Sequence, residues 1–203
     1  MKRQRIGFII NPVAGLGGRV ALKGSDGADI VARALALGGA PEAAKRARAA
    51  LEQLRPYQDN IRFLTYSGPM GADILQEAGF TYAVLGEPHT PTTAADTMAA
   101  ARAIREAGAA LLLFAGGDGT ARDVYEALGQ SLPVLGIPAG VKMHSAVYAL
   151  NPQSAGLAAA EFLAGKAAGR RNAEVMDIDE DAFRQGRVSA RLYGYMEVPG
   201  LSG

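Results

Sequence analysis

The sequence predicts an α/β fold in which a mostly parallel sheet is covered by helices on both faces. Three observations lead to this prediction. Short apolar runs alternate with longer segments of helical period over residues 1–170, which is typical of repeated strand–helix–strand units. The apolar runs are unbroken, as expected for strands that are buried on both faces. Pro and Gly stand where the predicted helices begin and end.

The predicted elements follow one another in a regular order. Five strands are expected at 5–10, 61–65, 82–85, 111–114 and 133–137. Helices are expected at 42–54, 67–78, 92 or 93 to 106, 121–128, 143–150 and 154–163. Right-handed crossovers would make the strands parallel, and ligands would then bind beyond their carboxyl ends. Three Gly-rich loops follow the first, fourth and fifth strands, so all three are expected at that edge.

The pattern changes near residue 170, and residues 171–203 are predicted as a β-rich segment that begins a second domain. Residues 173–178 are predicted as another strand, and residues 187–198 alternate between apolar and polar side chains. Two strands alone do not make a stable sheet. We therefore expect the last strand to pair with the main sheet or with a second copy of the chain, which would give a homodimer.

Composition narrows the classes of function. The chain has 203 residues and a net charge of +1, which does not favour binding to nucleic acid or to an anionic membrane. Cys is absent, so disulfides, thiolate catalysis and iron–sulfur ligation are excluded. Only two His are present, which argues against a His-rich zinc site. No targeting or membrane-spanning segment stands out, and we expect a cytoplasmic protein.

The strongest motif is the stretch AGGDGT at 115–120, between the fourth apolar run and a helix. Its three Gly let backbone N–H groups approach an anion, and the start of a helix favours phosphate. A carboxylate would repel phosphate, so Asp118 needs another reason to be there. It could hold Mg²⁺ or accept a proton from an attacking hydroxyl. Alternatively, Asp118 only caps the helix.

The loop after the first strand reads NPVAGLGGR at 11–19. Gly15, Gly17 and Gly18 can form a nest of N–H groups, and Arg19 can clamp a phosphate with two hydrogen bonds. The alternative is an ordinary loop with a solvated Arg.

The loop after the fifth strand reads GIPAGVKMHS at 136–145. Lys142 is a candidate phosphate contact. Ser145 is otherwise explained as a helix cap, and His144 as a partly buried imidazole. His89 lies in the loop after the third strand and is interpreted as incidental, although that loop could reach the same edge.

Together the three motifs resemble the ATP-NAD kinase superfamily, and its AcoX-like branch most closely. NPVAGLGGRV, GGDGT and GIPAGVKMHSAV occur in that order at predicted strand ends. GGDGT is also shared with diacylglycerol and sphingosine lipid kinases. The resemblance implies a Rossmann-like three-layer first domain, a mostly β second domain, and an active site in the cleft between them. It also implies transfer of the γ-phosphoryl of ATP to a hydroxyl with a divalent metal.

The resemblance assigns roles to individual residues. Asp118 corresponds to the acidic residue that contacts and activates the acceptor hydroxyl. The other positions that it assigns would bind nucleotide: Asn11, Gly15, Gly17, Gly18, Gly116, Gly117, Gly119 and Thr120. To these we add Arg19, Gly140 and Lys142 of the first and third loops as candidate nucleotide-binding residues. After the fifth strand the chain departs from both relatives. NAD kinases usually have G-x-N-x-G-x-L-G-F there, and lipid kinases usually have P-x-G-T-x-N-D-x-A. This chain keeps the Pro, Gly and Ala of the second pattern but has other residues in place of its Thr, Asn and Asp.

Three functions follow from these observations. The leading hypothesis is a kinase that uses ATP and Mg²⁺ to phosphorylate a hydroxyl of NAD or a related small molecule. The second is a lipid kinase of the diacylglycerol kinase type, against which the missing Asn-Asp pair and the lack of an amphipathic membrane helix count. The third is a non-catalytic nucleotide sensor linked to acetoin catabolism. For the first and third hypotheses, the expected partner is a small-molecule nucleotide.

Overall fold

The fold is built on a five-stranded, fully parallel sheet with the strand order β3-β2-β1-β4-β5. The structure is a computed structural model that describes residues 2–14, 42–139 and 143–200. The strands of this sheet are β1 (Gln4–Ile10), β2 (Ile61–Thr65), β3 (Tyr82–Val84), β4 (Leu111–Gly116) and β5 (Val134–Pro138). All five predicted strands are confirmed, with their ends shifted by one or two residues. The predicted loop at 15–19 lies outside the described residues.

Helices cover both faces of the sheet and complete three layers, as predicted. In the described part of the chain these helices are α1 (Ala43–Gln53), α2 (Ala72–Ala78), α3 (Ala94–Glu106), α4 (Asp118–Leu128) and α5 (Pro152–Leu163). Helices α1 and α5 pack together on one face, and α3 and α4 pack together on the other. The predicted helix at 67–78 is divided into a 3-10 helix, Gly68–Met70, and α2, because Gly71 between them adopts φ 155°.

The sheet is buried on both faces because side chains alternate between two cores. In β4, Leu111 and Leu113 face the core under α1 and α5, whereas Leu112 and Phe114 face the core under α3 and α4. All four are fully buried. This arrangement requires apolar residues at every position of a central strand, which explains the unbroken apolar runs.

The predicted helix at 143–150 is wrong. This segment is irregular, and its backbone groups bond to strands on either side of it rather than to each other. Gly136 donates to the carbonyl of Val147, and Ala149 donates to the carbonyl of Gly136. A helix would have used these groups internally. The apolar spacing resembles a helix because Val147 turns inward while its neighbours remain accessible.

The C-terminal residues form a hairpin, which we call the C-terminal hairpin: β6 (Arg170–Ile178), the short helix α6 (Glu180–Arg184) and β7 (Ala190–Pro199). The expectation that the last strand would pair with the main sheet is wrong, because β7 pairs antiparallel with β6. The homodimer stays a prediction, since β6 and β7 form a two-stranded sheet of their own. The hairpin is stabilised by packing, since Val175 and Met196 are buried in the core that also contains Val124 of α4.

Within the residues that the structure describes, no helix is long and apolar enough to cross a membrane.

Candidate functional site

Two of the three motifs meet where β1 and β4 end. The backbone N–H of Asn11 donates to the carbonyl of Ala115 at 2.9 Å. The Asn11 side-chain amide donates to the hydroxyl oxygen of Thr120, also at 2.9 Å. Because adjacent parallel strands end side by side, the start of the 11–19 loop lies against the GGDGT turn. Asn11 and Thr120, both predicted to bind nucleotide, therefore brace the two motifs against each other.

The first two Gly of the GGDGT turn, Gly116 and Gly117, differ in whether the surrounding structure requires a Gly. A Cβ at Gly116 would lie 2.3 Å from the hydroxyl oxygen of Thr120, so the packing of Thr120 requires Gly there. Gly117 has φ −110° and ψ −168°, which any residue adopts. A Cβ at Gly117 would meet no described atom within 4 Å. Among the described residues, packing and backbone conformation therefore do not require Gly117, and no described side chain fills the space beside it.

Asp118 is the first residue of α4 and is only 8% exposed. Its Oδ2 accepts the backbone N–H of His144 at 2.8 Å, and its Oδ1 accepts the backbone N–H of Ser145 at 2.9 Å. The alternative that Asp118 only caps its own helix is wrong, because Gly117 occupies the N-cap position. The carboxylate instead holds the chain that follows β5. Each oxygen keeps capacity for a second hydrogen bond.

Tyr148 was not selected from the sequence, yet it contacts the same turn. Its hydroxyl donates to the carbonyl of Gly117. Its ring packs edge-on against Phe114, with 5.5 Å between the centroids, and fills the space where a Cβ of Gly136 would be. Desolvation raises the pKa of Tyr148 well above its ordinary value, and the nearby charge of Asp118 raises it further. Tyr148 is therefore a neutral donor that fixes the residue preceding Asp118.

A second buried carboxylate lies at the start of α3. Asp96 is 3% exposed, and its Oδ1 lies 2.7 Å from Nδ1 of His89. The same oxygen accepts the His89 backbone N–H, while Oδ2 accepts the backbone N–H and the hydroxyl of Thr93. Burial raises the pKa of Asp96, but these hydrogen bonds outweigh it and the pKa is lowered. His89 is thus held by a partner, which sequence reasoning missed although Thr93 and Asp96 have capping-box spacing.

Several predicted positions cannot be placed in the site. The predicted residues that lie outside the described part of the chain are Gly15, Gly17, Gly18, Arg19, Gly140 and Lys142.

Arg46 of α1, which the sequence did not single out, donates to the carbonyl of Pro138 at 3.3 Å. It therefore brings a cation to the end of β5. Among the residues that the structure describes, no group of three His, Asp or Glu is arranged to hold a metal ion.

The comparison with known families agrees with the motifs. The family model for the ATP-NAD kinase N-terminal domain matches residues 6–167 of this 203-residue chain. No curated protein matches the chain significantly. The match begins within β1 and ends in the loop after α5, so it includes the GGDGT turn and all of the parallel sheet except the first two residues of β1. This family includes kinases, so the match supports a kinase or phosphotransferase. The chain belongs to the ATP-NAD kinase N-terminal domain family.

Proposed function

We propose that this chain is an ATP-dependent phosphotransferase that transfers the γ-phosphoryl of ATP to a hydroxyl of NAD or of a related small molecule. We also propose that it belongs to the AcoX-like branch of its family. One observation carries the proposal. At the start of α4, no described atom fills the space beside Gly117 of the GGDGT turn, and the buried carboxylate of Asp118 lies next to it.

Phosphate binding is supported by the geometry of the turn. The first N–H groups of a helix have no partner within the helix and carry partial positive charge, which favours an anion. Gly117 presents no side chain in front of α4. Asn11 lies against the same turn through Thr120, so the loop after β1 begins beside it. A triphosphate bound there would lie between the first two motifs.

Transfer requires an acceptor hydroxyl near Asp118. The hydroxyl oxygen attacks the γ-phosphorus, the bond between that phosphorus and the β–γ bridging oxygen breaks, and ADP leaves with the electron pair. The hydroxyl proton passes to a carboxylate oxygen of Asp118. The N–H groups of His144 and Ser145 hold this carboxylate in one orientation before the acceptor arrives. Preorganisation of this kind lowers the barrier because the group does not need to reorient.

A divalent metal fits this site only together with the nucleotide. Mg²⁺ is usually held by one or two carboxylates and by substrate phosphates rather than by a cage of protein groups. Asp118 is the carboxylate of the turn, and the described residues contain no three-ligand cluster. When bound, Mg²⁺ would neutralise charge on the transferring phosphoryl group. The residues present are consistent with that arrangement.

A nucleotide sensor is the second candidate, and a specific observation favours it. Both oxygens of Asp118 already accept a backbone N–H, which is what a purely structural carboxylate would do. A sensor of this fold would bind ATP or NAD at the same turn without transferring phosphate.

Labelled ATP tests the two candidates together. The protein is incubated with γ-labelled ATP and Mg²⁺ in the presence of NAD, NADH, nucleosides, polyols or diacylglycerol, and label in the acceptor is measured. A kinase labels at least one acceptor in proportion to protein concentration. Calorimetric binding of ATP without transfer to any of these acceptors would support the sensor instead. Transfer to diacylglycerol alone would favour the lipid kinase.

A further inference from the structure

Residues 144–149, which we call the linking segment, join the main sheet to the C-terminal hairpin. On one side the segment pairs with β5 through Gly136, as described above. On the other side the N–H of Ala146 donates to the carbonyl of Glu174 in β6 at 2.8 Å. The hairpin is therefore connected to the parallel sheet by hydrogen bonds as well as by the apolar core.

Ser145 makes the most specific of these connections. Its hydroxyl donates to the carbonyl of Met176 at 2.7 Å and accepts the Met176 backbone N–H at 2.9 Å. The pairing of β6 with β7 shifts register between Val175 and Met176. One side chain thus bonds both backbone groups of Met176 at the irregular position of the hairpin. Ser145 is 5% exposed, so these bonds form with little competition from water.

The same residue reaches the GGDGT turn through its backbone. The N–H of Ser145 donates to Oδ1 of Asp118, while its hydroxyl holds Met176. A movement of β6 relative to the sheet would pull on Ser145 and thereby on the carboxylate. A residue without the hydroxyl could still donate its N–H to Asp118, but its link to the hairpin would be lost.

We propose that Ser145 is a positioning residue that couples the C-terminal hairpin to the orientation of Asp118. A ligand that contacts the hairpin would then change the position of the carboxylate, and a ligand at Asp118 would change the hairpin by the same coupling free energy. The effect on turnover rests on the proposed phosphotransfer, whereas the mechanical coupling does not.

Hydrogen exchange of the ligand-free protein tests the coupling without any assay of activity. In Ser145→Ala, we expect amide exchange to quicken by about tenfold both in peptides containing Met176 and in those containing His144. Exchange in β1 and β4 should not change. Ser131→Ala is the matched control, because the Ser131 hydroxyl also bonds a backbone carbonyl and accepts from a side chain, but away from the turn. Faster exchange around Met176 alone would overturn the coupling.

Steady-state kinetics then separate positioning from simple stabilisation. If the chain transfers phosphate, Ser145→Ala should lower kcat by about tenfold and leave KM for ATP within threefold of the parent. Ser145→Thr, which keeps a hydroxyl, should recover most of kcat. Equal loss in the Ala and Thr variants, or a change in KM alone, would contradict a positioning role.

The coupling can also be tested from the other end. Asp118→Asn should quicken amide exchange at Met176, whose backbone groups bond to Ser145 rather than to the carboxylate. Asp118→Asn can test the coupling even if Ser145→Ala does not fold. Unchanged exchange at Met176 in Asp118→Asn would overturn the coupling. If exchange is coupled but no acceptor is phosphorylated, the proposed function fails while the coupling stands.

Discussion

Asp96 and Asp118 are both buried carboxylates in the first turn of a helix, yet their surroundings differ. Asp96 accepts four hydrogen bonds or close polar contacts, two at each oxygen, from His89 and Thr93. The hydrogen bonds described for Asp118 come from two backbone N–H groups, one to each oxygen. A carboxylate has about four lone-pair sites, so Asp96 is saturated by its own loop, whereas the described residues fill two of these sites at Asp118.

This difference separates a structural carboxylate from one suited to a ligand. The donors around Asp96 lie within seven residues along the chain, so they fix one loop and one helix start. The donors at Asp118 come from residues 26 and 27 positions away and align the turn with the linking segment. Asp118 also follows Gly117, beside which no described atom lies within 4 Å of where a Cβ would be. The same substitution at both positions should therefore give different losses.

The largest expected effect is on turnover in Asp118→Asn. The amide cannot accept a proton, so the rate should fall by about 10²- to 10⁴-fold if Asp118 is the general base. Steady-state transfer from labelled ATP measures this loss. The fold should weaken as well, by about 1–2 kcal/mol, because an amide NH₂ would face one of the two N–H groups that Asp118 now accepts.

The contrary outcome for Asp118 is clear. Turnover within threefold of the parent, measured at a temperature where both proteins are folded, would reject the catalytic role. Asp118 would then be structural in the same sense as Asp96.

The second effect in size is on stability in Asp96→Asn. The substitution replaces one carboxylate oxygen by an NH₂ group, which would face the hydrogen-bond donors of His89 or Thr93. The free energy of unfolding should therefore fall by about 2 kcal/mol. For a chain of this length the change lowers Tm by about 4–8 °C. Calorimetry measures Tm, and titration with ATP should give the parent affinity. Weakened ATP binding in the folded variant would show that the loop holding His89 belongs to the nucleotide site.

Gly117→Ala tests whether the open space beside the turn receives a phosphate. Since φ and ψ at Gly117 suit Ala, stability should change by no more than about 1 kcal/mol, because the reduced entropy of the unfolded chain opposes the poorer N-cap that Ala makes. ATP should bind more than about tenfold more weakly, equivalent to about 1.4 kcal/mol. Gly116→Ala is the contrasting variant and should lose stability because of Thr120. Unaltered ATP affinity in Gly117→Ala, measured by calorimetry, would remove this position from the binding site.

The smallest expected effect is the pH dependence of the Asp96 contribution. The pKa of Asp96 is lowered in the folded protein, so its stabilisation is present above the unfolded pKa of about 3.9 and is lost as the pH falls through the folded pKa. The difference in unfolding free energy between the parent and Asp96→Asn should therefore shrink between about pH 7 and pH 3. Urea titrations at both values measure it. A constant difference would mean that charge at Asp96 does not contribute.

Most of the fold could be predicted from the sequence because central parallel strands need apolar residues on both faces. The unbroken run at 111–114 shows this requirement directly. The linking segment could not be predicted, since its hydrogen bonds go to Gly136 and Glu174 rather than to near neighbours. The pairing of β7 was also missed, because the hairpin is stabilised by packing against α4, and no local pattern shows a contact between residues so far apart in the chain.

The candidate site could be predicted only in part, because some of its contacts also join residues that are far apart in the sequence. Gly-rich loops at strand ends indicate an anion site by local chemistry alone, so the GGDGT turn was found. The role of Asp118 depends on His144 and Ser145, which reach it through an irregular segment. Tyr148 carried no signal, because a single Tyr near a strand end has no characteristic spacing. The capping box at Thr93 was a readable signal that was overlooked.

The hydroxyl of Tyr148 has an optical consequence. The chain contains no Trp, so its near-ultraviolet absorbance and emission come largely from seven Tyr. Because the pKa of Tyr148 is raised well above its ordinary value, this phenol should resist ionisation while the molecule is folded. Its ionisation would coincide with the opening of its bond to Gly117. Alkaline titration therefore offers a label-free signal for the integrity of the phosphate-binding turn.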